Sequence, residues 1–581
     1  MTEHLSDIRI AALAKSPIIK FLGPLIDRLI GLNHLQSLYQ NNHFSGLDKQ
    51  VFSTKLLRVL GVNIVGGDNI LANIPNSGRC IVVCNHPYGM IEGVIIANLL
   101  ASKRADTKIL ANVGLQVFQE LKDYFIFANP LKPKAPINNV AIKQCFKHLN
   151  NDGVLVLFPA GRVSFYQEDK KIISDGEWDR LTVQLMKRTH SPILPIFISG
   201  TNSKLFHRMG RIYYRFRLMM LAREMLKLDQ HKIKLLTTKL IKAEQFSEFQ
   251  DKKMINDVMR LQCYLNDESY VIPWQADQQA TAMTEVIAPS DKGVMQREIA
   301  NLPIKQHLLD YRKFSVYYAY QQQAPQCIRD ITRLREITFR DENEGSGQSC
   351  DTDKFDATYM HLFIYDNNEN EIIGAYRIGL TDQLLKNGEQ SALYLAQMFN
   401  FSNNFINQQQ PCMEMGRSFI VKAHQQSFYG LLLLWKGIGA FVCKNPQYRT
   451  LYGTVSLSKL YDPRSITLIN KTMVTDTDAV QPKIAFENSL HPELSVFLTK
   501  HQLSIEQLSM LIQSIEADGK DLPVLLKQYH KLGAVFHCLS IDGNFNTTPG
   551  LLLSVDLPSA PDKLLKLYLG QDKDEYLAYN G

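Results

Sequence analysis

An imidazole beside a carboxylate can take a proton from an alcohol at neutral pH, and residues 81–93 (IVVCNHPYGMIEG) offer such a pair. A β-branched run ends in Asn85 and His86, turns through Pro87 and Gly89, and enters the apolar helical run from Val94 to Leu100. That layout puts His86 on a strand-to-helix turn with Glu92 about one helical turn further on. The carboxylate would fix the imidazole tautomer and stabilise the imidazolium formed during reaction. A lone Asn-His-Pro would do no more than close a turn. Two further segments of the same build give it company. Residues 153–164 (GVLVLFPAGRVS) end an apolar strand in a Pro/Gly turn carrying Gly161, Arg162 and Ser164, and residues 192–200 (PILPIFISG) form a third such strand.

In order and spacing these three segments resemble the glycerolipid acyltransferase family, with its NHxxxxD, FPEGTR and VxPVxI-like signatures. The resemblance implies a His86–Glu92 catalytic dyad and a substrate-binding role for Asn85, Gly161, Arg162 and Ser164. The acid is Glu92, one position later than the family's aspartate. Ala160 replaces its glutamate, and Arg162 stands one place before its arginine, where Val163 is found. In the family that segment grips a glycerol phosphate. The rearrangement points to an acceptor with a different anion, such as a carboxylate, which arginine also binds bidentately.

The second half carries another set of chemistry-bearing residues. A helical segment holds Arg333 and Arg335, and a polar, Gly-bearing loop leads to Asp351, Asp353, Phe355 and Asp356. A hairpin ends in Gly374 and Arg377, and a strand candidate at 412–421 has Glu414 and Arg417 at its centre. An apolar helix is expected over 428–443. This order resembles the acyl-carrier-using branch of the GNAT fold, the homoserine lactone synthases. Carboxylates at Asp351, Asp353, Asp356 and Glu414 are suited to hold a cationic amino acid and take its proton as the amine attacks a thioester. Simple solvation of the loop aspartates and a structural Glu414–Arg417 ion pair are the plainer readings. Only one glycine follows the central strand, where coenzyme A users carry a Gly-rich pyrophosphate turn. A phosphopantetheine thioester on an acyl carrier protein is the expected donor, with no resident cofactor or metal.

The elements that must position these groups alternate in the first half. Strands are expected at 80–84, 108–111, 124–128, 154–158 and 193–198, with helices between them, one at 137–149. The fold class is thus α/β, with an acyltransferase-like α/β domain (1–285), a polar linker (286–304) and a GNAT-like α+β domain (305–581). At 581 residues, 45% apolar and 21% charged, the chain is an ordinary multidomain globular protein. The nine cysteines show no CxxC pair, disulfide framework or zinc spacing, so a reducing compartment is expected. Neither a signal peptide nor an apolar run of about 18 residues is found.

Contact with a lipid surface is expected from two stretches. Ile18, Leu22, Leu25, Leu29 and Leu32 recur at helical spacing, with Lys20, Asp27 and Gly31 on the other side. Either core packing or an interfacial position satisfies that pattern. Residues 204–227 interleave seven basic residues with Tyr213, Tyr214, Phe216, Leu218 and Met219 against the single acid Glu224. Without a nucleic-acid motif, a lipid headgroup or carrier-protein surface is the better fit than nucleic acid, and a merely solvated basic helix is the plainer one.

Together the halves are similar to the bifunctional ornithine lipid synthases. That resemblance implies N-acylation of ornithine by the C-terminal half and O-acylation of the 3-hydroxyl by the N-terminal half. It implies substrate-binding roles for Arg335, Asp351, Asp353, Asp356 and Arg377, and catalytic roles for Glu414 and Arg417. The expected location is peripheral, on the cytoplasmic face of the inner membrane. A phospholipid-remodelling enzyme with a lipid-sensing second half and a hemolysin-like membrane-binding protein are the competing readings.

Overall fold

The computed structural model describes residues 17–129, 132, 134–270, 283–402, 405, 410–425, 427, 429–475, 478–486 and 490–579; the side chains of residues 17–20, 22 and 215 lie outside that description. Two compact units result. One contains the residues up to 270 together with Leu490–Gly519, and the other contains the remainder.

The first unit is built on β1 (Asn63–Val65), β2 (Cys80–Cys84), β3 (Lys108–Asn112), β4 (Phe125–Ala128), β5 (Val154–Leu157), β8 (Ile193–Ile198) and β9 (Lys232–Thr237). They form one sheet in the order β1-β9-β8-β2-β5-β3-β4. Every pair is parallel except β8 with β9. The central strands β2, β5 and β8 are buried at every residue. That is why CIVVC, VLVL and ILPIFI are unbroken apolar runs: strands covered on both faces have no polar side. A small hairpin of β6 (Phe165–Gln167) and β7 (Ile172–Ser174) follows β5.

The second unit carries β10 (His307–Tyr311), β11 (Phe314–Ala319), β12 (Met360–Asp366), β13 (Glu371–Leu380), β15 (Cys412–Ile420), β16 (Thr450–Ser456), β18 (Val535–Asp542) and β19 (Thr548–Asp556). Their order is β10-β11-β12-β13-β15-β16-β19-β18, and β14 (Phe399–Phe401) pairs separately with β17 (Val480–Pro482). All neighbours in the large sheet run antiparallel except β15 and β16. That one parallel pair is joined by the apolar helix Tyr429–Lys444, as a crossover requires. Pairing between β15 and β16 ends at Met415 and Gly453, so the remainder of β15 is free of β16.

Two expectations change, and of the two readings left open for the N-terminal stripe the structure favours one. The 286–304 linker contains the helix Lys292–Ala300, whose Met295 and Ile299 sit in the second unit's core. The polar run before it is a helix start, since the Asp291 side chain accepts from the Val294 amide. Leu490–Gly519, expected in the C-terminal domain, belongs to the first unit. There Glu493 binds Lys170 (2.7 Å) and Arg260 (2.6 Å), all three largely buried. On the helix Pro17–Leu29, Asp27 is buried while Phe21, Leu25 and Leu29 are 86, 60 and 59% exposed. The apolar stripe therefore faces outward and the aspartate inward. Ile18, Lys20 and Leu22 lie outside the described side chains.

Among the described residues no helix is long and apolar enough to cross a membrane. All nine cysteines are free thiols.

Gly89 is a tight point beside the His86 turn. Its φ is +96°, and a Cβ there would stand 2.4 Å from Val163 Cγ2 and 2.7 Å from Leu221 Cδ2. Gly89→Ala should lower the unfolding free energy of the first unit by about 1–2 kcal/mol, the scale of a left-handed β-carbon, measured by calorimetry.

Candidate active sites

The turn after β2 places His86 in the lining of a cavity of about 790 Å³, within the range of small-molecule sites. Leu35, Phe52, Val94, Ile109, Leu121 and Phe125 give it an apolar wall. His86 Nδ1 and Glu92 Oε1 are 3.3 Å apart, and the carboxylate is wholly buried while the imidazole keeps 17% exposure. Glu92 lies in the first turn of the helix Ile91–Ala101, and its Oε1 accepts from the amides of Tyr88 (2.5 Å) and Gly89 (2.8 Å). Burial works against both charges, but the His86 charge and hydrogen bond and the Gly89 amide hold Glu92 below the usual carboxylate range. Against the same burial, Glu92 and then Asp175 raise the proton affinity of His86. The ring rests on Phe158, with centroids 4.7 Å apart. A pair so arranged can accept a hydroxyl proton and hold it as an imidazolium.

The backbone of His86 is clamped from the β6–β7 hairpin. Its N–H donates to Asp175 Oδ1 (3.1 Å), and its carbonyl accepts from the Ser164 amide (2.8 Å). Ser164 Oγ donates to Asp175 Oδ1 (2.6 Å) and Trp178 Nε1 to Oδ2 (2.9 Å), while the Asp175 amide donates to Tyr264 OH (2.7 Å). Asp175 is fully buried, and sequence reasoning missed it. The segment between Phe165 and Ser174 reads as a polar surface turn, and nothing in it marks the acid that closes the hairpin over His86.

Two residues expected to face substrate are occupied elsewhere. Asn85 spends its amide on both backbone groups of Ile198, accepting from the N–H (2.7 Å) and donating to the carbonyl (2.9 Å), and so ties β2 to β8. Ser164 is buried in the Asp175 contact. Gly161 (φ +58°) and Arg162 are exposed and line the cavity with His86.

In the second unit Arg335, Asp351, Asp353, Asp356, Arg377 and Arg417 converge into one ionic network. Arg335 lies in the buried stripe of the helix Pro325–Asp341 with Ile328, Ile331 and Phe339. It donates to Asp351 Oδ2 (2.9 Å), to the Asp351 carbonyl, and to both oxygens of Asp356 (2.9 and 3.1 Å). Arg377 reaches Asp353 (2.6 Å) and Asp356 (3.1 Å), and Arg417 stands 3.7 Å from both Asp351 and Asp353. Arg333 instead pairs with Asp330. Asp351 and Asp356 are thus held by guanidiniums, which keep both carboxyls below the ordinary range against the opposing burial. They brace the site and leave little capacity for a substrate ammonium. Asp353 Oδ1 is bound by Arg377, and its Oδ2, which makes no hydrogen bond, faces Arg417 at 3.7 Å.

Glu414 lies on β15 just before the strand parts from β16. Tyr359 OH donates to it (2.7 Å), as does the Leu395 amide (2.8 Å). Burial pushes its pKa up to about 7, although these hydrogen bonds work the other way. A carboxylate tuned there suits a base working at neutral pH. Arg417 packs over Phe545 (4.3 Å) and donates to Tyr394 OH (3.1 Å), which in turn donates to Asp542. Tyr359, Tyr394 and Asp542 join the site from outside the motifs. So does His361, whose burial lowers its pKa to about 4 and keeps it neutral.

Residues 26–245 match the family described as "Acyltransferase", and residues 334–436 match the "Acetyltransferase (GNAT) domain" family. The chain carries an acyltransferase domain and a GNAT domain. It is similar to the glycine N(alpha)-acyltransferase of Bacteroides thetaiotaomicron, 28% identical over 295 residues, or 47% of this chain and 87% of that one. The glycine N(alpha)-acyltransferase of Phocaeicola vulgatus is 25% identical over 293 residues, 47% of this chain and 90% of that one. The lyso-glycine lipid O-acyltransferase of Phocaeicola vulgatus is 29% identical over 174 residues, 29% of this chain and 60% of that one. The protein is an acyltransferase. The acyltransferase domain holds the His86–Glu92 pair, and the GNAT domain holds Glu414 with its arginine network.

Two outcomes follow from these geometries. Because a raised carboxyl must lose its proton before it serves as a base, GNAT-domain activity should rise through about pH 7 and fall to background in Glu414→Gln. Asp175→Asn should lower kcat of the acyltransferase domain by on the order of 10–100-fold, since a small misplacement of His86 is enough for that. Amine acylation measured on the same protein should be untouched by it.

Proposed function

We propose that the protein makes a phosphorus-free amino-acid lipid in two steps, the preferred amino acid being ornithine. In the GNAT domain the α-amine attacks the carbonyl of a 3-hydroxyacyl thioester on an acyl carrier protein. The N–C bond forms and the C–S bond breaks, and Glu414 takes the amine proton and passes it to the departing thiolate, which leaves as the thiol. In the acyltransferase domain the 3-hydroxyl of that product attacks a second acyl thioester as His86 takes its proton and Glu92 holds the imidazolium; the C–O bond forms, the C–S bond breaks, and His86 returns the proton to the leaving thiolate. The observation that carries this reading is the presence, in one chain, of two separate proton-accepting sites, each with its proton affinity raised by its surroundings. One is a His–Glu pair at an apolar cavity fit for acyl chains, and the other is a carboxylate poised at about pH 7 beside parted strands.

The names of the relatives, one set for amino-acid N-acylation and one for lyso-lipid O-acylation, support the same division. They also favour glycine as the acceptor. Ornithine is proposed because the two halves, joined in one chain, resemble the bifunctional ornithine lipid synthases. No metal or resident cofactor enters either step. A peripheral position on the cytoplasmic face of the inner membrane is part of the proposal. The outward Phe21, Leu25 and Leu29 support it, as do the exposed Ile212, Tyr213, Tyr214, Leu218 and Met219 among the basic residues of the helices Lys204–Ile212 and Tyr214–Met225.

Expression in a host lacking aminolipids tests the reading by mass spectrometry of the lipid extract. A new phosphorus-free lipid with an ornithine head and two acyl chains is expected. His86→Ala should accumulate the monoacylated amide, and Glu414→Ala should abolish both products. A glycine head would correct the acceptor. A change confined to phospholipid acyl chains would sink the two-step scheme.

A further inference from the structure

The displaced Arg162 has a companion that the sequence motifs do not include. On the helix Tyr214–Met225, Leu218 and Leu221 line the cavity with His86, and Leu221 packs where Gly89 lacks a side chain. Arg217 stands one turn before Leu221, hence on the same side of the helix. Its guanidinium lies over the Phe165 ring, 4.7 Å from the centroid, so the first residue of β6 fixes where it points.

Room for the Arg217 stem is made by a glycine in the neighbouring helix. A Cβ on Gly210 would stand 2.4, 2.5 and 2.7 Å from Cδ, Cγ and Nε of Arg217, its nearest neighbours there. Gly210 sits inside the helix Lys204–Ile212, where glycine costs stability unless something needs the space. Arg217 is half-buried, and among the described residues neither it nor Arg162 has an acidic partner. Nearby acids are engaged elsewhere: Glu168 with Arg211, Glu224 with Ser203 and Lys227, and Asp179 with the Leu181 amide. Partial burial, and then the charge of Arg162, depress the proton affinity of Arg217. Arg162 lines the same cavity as His86, and Arg217 stands on the helix whose Leu218 and Leu221 line it, so an anion entering there would meet guanidiniums with no acid already bound to them.

We propose that Arg162 and Arg217 together form the subsite for the acceptor's carboxylate in O-acylation, with Phe165 and Gly210 seating Arg217. This rests on the reading of the acyltransferase domain as acting on a hydroxyacyl amino acid. The hydroxyl lies on the acyl chain and the carboxylate on the headgroup. Fixing the carboxylate at Arg162 and Arg217 therefore sets how far the chain enters and brings the hydroxyl to His86. A planar anion held by two forks also selects carboxylate-bearing acceptors over neutral ones.

The test uses the full-length protein with an acyl thioester donor and two acceptors, N-(3-hydroxyacyl)ornithine and its methyl ester. The wild type should prefer the acid over the ester by about 10–100-fold in kcat/KM, mainly through KM, as suits charge-assisted hydrogen bonds. Arg217→Ala should erase that preference, and Arg217→Lys, a point charge, should keep part of it. Gly210→Ala, a change that ordinarily stabilises a helix, should imitate Arg217→Ala by expelling its stem. The double variant should be no worse than either single one. A wild type active on both acceptors whose acid preference survives Arg217→Ala overturns the subsite alone. A wild type that acylates neither, yet acylates a lysophospholipid, overturns the subsite and the functional reading beneath it.

Discussion

A carboxylate removed entirely from water must be compensated on the spot, and Glu92 is such a group. Its compensation comes from two backbone amides in the turn, from the start of the helix that carries it, and from His86. Each of these restricts the chain. The amides of Tyr88 and Gly89 converge on one oxygen only if the turn passes through the left-handed region at Gly89. The imidazole meets the acid only if His86 is held at both its N–H and its carbonyl. The hairpin base of Ser164 and Asp175 does that holding, and Asn202 steadies the turn by donating to the carbonyls of Pro87 and Tyr88. The longer spacer of this dyad, with Glu92 in place of an earlier aspartate, is accommodated because the glutamate reaches back from the helix to the turn.

The GNAT domain handles its buried carboxylate in the opposite way. Glu414 has neutral donors, a phenol and an amide, and no guanidinium bound to it, so burial wins and its proton affinity rises to about 7. Glu92 has a cation beside it and stays ionised. Two buried acids are thereby given different work by their surroundings: one fixes and stabilises an imidazolium, while the other can take and release a proton near neutrality.

The parts legible in the sequence were those where residue type and local pattern coincide. Apolar strands ending in His86 and Arg162 announced an α/β domain with chemistry at its strand ends, and the order of motifs from Arg335 to Arg417 announced a second set of chemistry-bearing residues. What stayed hidden depends on contacts between distant segments. Asp175 serves a residue 89 positions away from within a polar turn. Asn85 and Ser164 have the right types for binding substrate, yet the partners that occupy them come from β8 and from the hairpin. Arg333 and Arg335 differ by two positions, which on a helix means different faces, and only Arg335 falls in the apolar stripe. The stretch before Lys292 read as a linker because capping residues and linker residues are the same types. The N-terminal stripe gave the period of a helix but not which side would face the protein.

The ionic network in the GNAT domain has a further consequence for the backbone. Arg417 lies at φ +50° in the middle of β15, a conformation costing on the order of 1–2 kcal/mol for a side chain with a β-carbon. At this point the register between β13 and β15 shifts, and pairing with β16 has just ended at Met415. A strained residue persists where its surroundings over-determine it, and Arg417 is gripped by Asp351, Asp353, Tyr394 and Phe545 at once. The bulge turns β15 away from β16 and leaves its backbone open beyond Gly416, beside Glu414. The arginines and aspartates that resemble a substrate cage thus also shape the strand. By keeping Arg417 in a conformation it would otherwise leave, they hold open the gap between the strands beside Glu414.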